Sequence, residues 1–114
     1  MITSYTFGII EVDGRKFRKD LIIRPDGSIH HPWRRKKGHR LGLSDLEPLL
    51  DSPPDILVVG AGAFGLMKPK PGLEAKLAKR GVTLRVMPSK QAAAEYNNLA
   101  VEGGRIAACF HLTC

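Results

Sequence analysis

The sequence predicts a layered α/β fold with a mixed sheet, on three observations. Two turn signals, Asp13-Gly14 and Pro25-Asp26-Gly27, divide the first third into short β-branched and aromatic runs, as antiparallel hairpins require. From Ser44 onward, helical and strand patterns alternate, which favours a parallel arrangement around Leu57 and Leu84. The run Asp55 to Val59 is continuously apolar after its first residue, like a strand buried on both faces.

The elements follow in order. Tyr5 to Val12 reads as one strand, and Lys16-Phe17-Arg18 as its returning arm. Asp20 to Arg24 and Ser28 to His31 make a second hairpin, after which the basic segment crosses as a loop. Ser44-Asp45-Leu46-Glu47 spells a capping box for a short helix with Leu46, Leu49 and Leu50 on its apolar side. Pro48 costs that helix one backbone bond, and Pro53-Pro54 ends it. Pro71 to Arg80 reads as a second helix, with Pro71 in its first turn and Gly81 as its stop. Val82 to Met87 is a strand. Ser89 is expected to cap a third helix whose apolar stripe is Ala92, Ala93, Tyr96, Leu99 and Ala100. Gly103-Gly104 breaks it before the closing strand, Arg105 to Leu112.

Length and composition suit one domain over residues 1–114, and no apolar run approaches a membrane span or a signal peptide. Two cysteines are too few for a disulfide framework, so a reducing, cytoplasmic setting is expected. The net charge of +7 is concentrated. Trp33-Arg34-Arg35-Lys36-Lys37-Gly38-His39-Arg40 carries five Arg or Lys and no acid, and removing those five lowers +7 to +2.

Ile56 to Gly65 spells a strand running into G-x-G-x-x-G, the opening of a dinucleotide site. The context argues against one. Pro69 and Pro71 forbid a helix starting at the glycines, and no acid stands near Arg85 to Ser89 to hold a ribose. Neither NAD nor any other cofactor is expected. Backbone N–H groups of Gly60-Ala61-Gly62 could still hold an anion at the strand exit, unless glycine there simply serves a tight turn against which Phe64 packs.

The run from Tyr96-Asn97 through Glu102-Gly103-Gly104-Arg105 to Ile106 and its alanines resembles a small α/β family of unknown function. That family includes the adipogenesis-associated domain protein and the mitochondrial complex I assembly factor 3. The turn at Asp26-Gly27, Trp33 with Arg34, His39, Gly60-Ala61-Gly62 and Met87 fall in the family's order. Ala61 stands where the family usually has Thr, and Gly104 interrupts its Glu-Gly-Arg run. The resemblance implies three layers around a mixed five-stranded sheet, no established activity or cofactor, and a role in assisting assembly of a larger complex.

Three functions follow, in order of preference. The first is a non-enzymatic binding or assembly-assisting module contacting a protein partner, for which an acidic surface would suit the patch, through Trp33, Arg34, Arg35, Lys36, Lys37, His39 and Arg40. The second is a small-molecule or anion-binding protein, or an enzyme, using a groove between Gly60-Gly62 and a corner formed by Asn97 and Arg105. The third is sequence-blind nucleic-acid binding through the basic loop. The Asn97–Arg105 corner has a structural alternative in which Glu102 pairs with Arg105 across the glycines. No nucleophile–base set is spelled anywhere, so no catalytic residue is assigned. Cys109 and His111 share a strand face, but strict alternation would send Cys114 to the other side, so no metal site is expected.

Overall fold

Apolar residues alternate with opposite-facing apolar residues along the two innermost strands, so this sheet must be covered on both sides. The computed structural model describes residues 1–114. Its elements are β1 (Ile2–Thr6), β2 (Ile9–Val12), β3 (Arg15–Phe17), β4 (Leu21–Ile23), β5 (Ile29–His30), β6 (Arg40–Leu41), a 3-10 turn (Leu43–Leu46), α1 (Glu47–Leu50), β7 (Ile56–Ala61), β8 (Lys68–Pro69), α2 (Leu73–Ala78), β9 (Thr83–Met87), α3 (Ser89–Val101) and β10 (Ile106–His111). The main sheet has five strands in the order β5-β4-β10-β7-β9. β10 pairs antiparallel with β4 and parallel with β7, and β7 pairs parallel with β9. No helix is long and apolar enough to cross a membrane.

Side-chain parity divides the core. Leu57, Val59 and Ala61 of β7, with Ala107 and Cys109 of β10, face α1, α2, Trp33, Leu41 and Met67. Val58, Ala108 and Phe110 face the other way, toward Ala92, Ala93 and Tyr96 of α3 and the β1-β2-β3 sheet. The expected mixed five-stranded α/β architecture with its N-terminal antiparallel region is therefore the one observed.

Several local expectations are corrected. Tyr5 to Val12 is two strands, because the chain reverses at Phe7-Gly8, where Gly8 has φ +80°. Ser44 caps nothing. Asp45 instead reaches back, its Oδ2 accepting from the Gly42 N–H at 2.8 Å. Pro48 falls in the first turn of α1, where its missing N–H has no helical partner to lose. The second helix starts at Leu73, because Gly72 adopts φ +85° and breaks the path from Pro71. Ser89 lies inside α3, after Pro88 at the cap position, and its hydroxyl is spent elsewhere. The basic loop also contains β6, which pairs with β8.

Asn97 attaches the first strand to α3. Its Oδ1 accepts the Ile2 N–H at 2.9 Å and its Nδ2 donates to the Ile2 carbonyl at 2.7 Å, so one amide acts as a neighbouring strand would. Tyr96 beside it is buried in the core. Asn97→Ala should therefore cost about 2 kcal/mol by leaving buried backbone groups unpaired. Tyr96→Ala should cost about 3–5 kcal/mol. Urea unfolding midpoints at unchanged slope test both, and an unshifted midpoint for Asn97→Ala would remove its structural role.

Candidate functional site

The carboxyl ends of β7 and β10 meet at the glycine turn, the edge of an open α/β sheet where ligands commonly bind. Here the chain fills that edge itself. A Cβ on Gly60 would lie 2.5 Å from the Phe110 ring and 2.8 Å from Ser89 Oγ. Gly62 has φ +98°, and a Cβ there would lie 2.7 Å from the Cys114 carbonyl. The Gly62 N–H donates to Ser89 Oγ at 2.9 Å, and Ser89 Oγ donates to the His111 carbonyl at 2.6 Å. Further along the turn, the N–H groups of Ala63 and Leu66 donate to the carbonyls of Thr113 and Cys114, and that of Gly65 to the Gly62 carbonyl. Of the Gly60, Ala61 and Gly62 groups expected to hold an anion, the Gly62 N–H is thus already bonded, and Gly60 and Ala61 lie within β7 with Ala61 packed in the core. Phe64, expected to pack against the turn, is 70% exposed.

The groove expected between these glycines and an Asn97–Arg105 corner is not formed. In the parallel register Ile106 lies beside Ile56, which puts Arg105 at the opposite end of the sheet from Gly60. Arg105 does not pair with Glu102. Its guanidinium donates to Ser52 Oγ at 2.7 Å and to the Pro53 carbonyl at 3.3 Å. It borders a cleft of about 360 Å³ with Arg24, Asp26, Pro48, Asp51 and Ser52. Asn97 is committed to Ile2.

Asp20, which precedes β4, reaches the end of β10. Its Oδ2 lies 3.0 Å from Arg35 and 2.8 Å from His111 Nδ1, and its Oδ1 accepts the Leu112 N–H at 2.9 Å. Burial pushes the carboxyl up, but the bonds from His111, Leu112 and Arg35 outweigh it and hold the group below the usual Asp range. The Arg35 side chain is only 5% exposed and stacks over Trp33 at 4.8 Å from the ring centroid. Trp33 is itself buried, with its Nε1 donating to the Asp45 carbonyl at 2.8 Å. Trp33 and Arg35 are therefore corrected from the expected contact surface to the core. Arg34, Lys36, Lys37, His39 and Arg40 remain exposed.

His39, His111 and Cys114 each offer a donor atom within 4.8 Å of the others. The expected separation of Cys114 from His111 is corrected, because regular strand ends at His111 and the chain then bends across the glycine turn. Cys109 is fully buried, and desolvation raises its thiol pKa far above the ordinary value.

Outside this plugged edge the surface has two chemistries. Phe7 and Phe64 are 59% and 70% exposed, with ring centroids 6.3 Å apart, and Leu66 is also exposed. The parallel β6–β8 pair sets Lys68 beside Arg40, and a shallow cleft is lined by Lys37, Arg40, Lys70 and Pro71 with no acid. Neither Lys68 and Lys70 nor the aromatic pair was legible as site residues. Their only sequence signal was an alternation of Lys and Pro after the glycines.

The family described as "Protein of unknown function (DUF498/DUF598)" matches residues 2–111. An uncharacterized protein of Rhodobacter capsulatus is 33% identical over 109 residues, covering 94% of this chain and 80% of its own. The crystal structure of a conserved hypothetical protein from Pyrococcus horikoshii, PH1505, superposes with a TM-score of 0.85 at 30% identity, covering 100% of this chain and 99% of its own. The solution structure of a Bordetella pertussis protein described as a Mth938-like domain shares the fold, with a TM-score of 0.73 at 23% identity over 98% of this chain and 85% of its own.

Two measurements test the edge as described. Asp20→Asn should lower unfolding free energy by about 3 kcal/mol, because Arg35 is left buried without its counter-charge. Asp26→Asn, at an exposed turn, serves as the mild control, and equal effects of the two would refute the buried pair. A thiol reagent should modify one cysteine in the native protein and two in denaturant, since Cys109 is sealed and Cys114 is half-buried.

Proposed function

The chain belongs to the family of proteins of unknown function DUF498/DUF598, and for it we propose a non-enzymatic binding module. Residues 1–114 act as one domain that docks an acidic protein partner in the cytoplasm and assists its assembly. The observation that carries this reading is the exposed Phe7–Phe64 pair together with a cationic cleft lined by Lys37, Arg40 and Lys70. Two backbone bonds and one side-chain contact link the two patches. Leu66 bonds to Cys114, the Cys114 thiol lies 3.8 Å from His39, and the His39 carbonyl accepts the Lys68 N–H at 2.9 Å. Apolar anchors ringed by charge are the usual composition of a protein-binding surface, where the aromatics supply affinity and the charges supply steering. The assembly-assisting part rests on the resemblance to the complex I assembly factor family.

Partner capture by Phe64→Ala should fall at least tenfold at low and moderate salt alike. Lys37→Glu combined with Arg40→Glu should weaken capture and flatten its salt dependence. Both variants should melt as the native protein does, because the three side chains are exposed. Undiminished capture by the Phe64 variant would sink the reading. Capture that disappears after nuclease treatment would replace it with nucleic-acid binding through the same cations.

A further inference from the structure

We infer that His39, His111 and Cys114 form a three-ligand site for a zinc ion. The three donors lie within 4.8 Å of one another, and His39 Nε2 stands 3.8 Å from Cys114 Sγ. A tetrahedral zinc with ordinary Zn–S and Zn–N bonds holds such an S···N pair about 3.5 Å apart, so closure needs only a few tenths of an ångström at that pair. The second observation is His111 itself. Its side chain is 9% exposed, its Nδ1 is bonded to Asp20, and its Nε2 is buried with no hydrogen-bond partner. A carboxylate on one imidazole nitrogen favours the tautomer that leaves the other nitrogen a lone pair, as metal-binding histidines are generally held. An unpaired buried nitrogen is costly, and a metal ion removes that cost.

Imidazole and thiolate together suit zinc rather than the hard cations, which take oxygen. Arg35 lies 3.1 Å from His111 Nδ1, but its charge is matched by Asp20, and the Cys114 thiolate supplies the negative charge for the ion. His39 is exposed and Cys114 half-buried, so the ion has an entry path. Three protein ligands leave one tetrahedral position for water or an added carboxylate.

Cobalt(II), followed by zinc competition, tests the site on the reduced, metal-stripped protein. One equivalent of cobalt should bind with a thiolate-to-metal charge-transfer band that zinc abolishes. Cys114→Ser should lose the band, and His39→Ala should weaken zinc binding at least tenfold. Both substitutions lie outside the core, and matching apo melting curves would confirm intact folds. Zinc should raise the melting temperature of the native protein and not of the Cys114 variant. Absence of the band in the native protein, its survival in Cys114→Ser, or equal zinc affinity in His39→Ala would each overturn the proposal.

Discussion

A single carboxylate, Asp20, ties together three parts of the chain that are remote in sequence. Its side chain holds Arg35, His111 and the Leu112 N–H, and its backbone carbonyl accepts the Trp33 N–H at 2.8 Å. The hairpin, the basic segment and the end of β10 are thus fixed to one residue. Buried ion pairs add little net stability when complete, but losing one member leaves the other stranded. The arrangement therefore imposes a particular path on residues 33–41. That path turns Trp33 and Arg35 inward and leaves the remaining cations outside.

The two ends of the sheet have acquired different characters for the same topological reason. Parallel pairing of β7 with β10 brings the glycine turn, His111 and Cys114 together at one end and puts Arg105 at the other. At the first end Ser89, Thr113 and Cys114 consume donors of the turn that a ligand would have needed. Glycine is required there because neighbouring backbone and Phe110 occupy the space of a side chain. The motif that spells a phosphate cradle is here a packing device. Beyond the filled turn, Phe7 and Phe64 meet side by side in solvent.

Sequence pattern conveyed the fold better than the site, for reasons visible in individual residues. Hydrophobic periodicity reports burial, so β7, β9, α3 and β10 were all legible. Turn chemistry located the reversals at Asp13-Gly14 and Asp26-Gly27. Pattern does not report how a polar side chain is spent. Ser89 has the composition of a cap yet bridges two strands, and Arg35 is spelled like its exposed neighbours yet is buried. Phe64 looks like core but stands in solvent, because the glycine turn carries it past the sheet edge. The His39, His111 and Cys114 cluster joins residues up to 75 positions apart, and it depends on a bend after β10 that alternation alone cannot foresee.

The position of β10 has a kinetic side. The strand that comes last in the chain lies between β4 and β7, with hydrogen bonds to both. Before it is in place, the sheet exists only as two separate ribbons, β5–β4 and β7–β9, each with an open edge. During vectorial synthesis those edges stay unpaired until residues 106–112 leave the ribosome, and the long loop closures they await are slow steps. A displaced β10 would leave β4 and β7 as unpaired edges, the usual template for pairing with another chain.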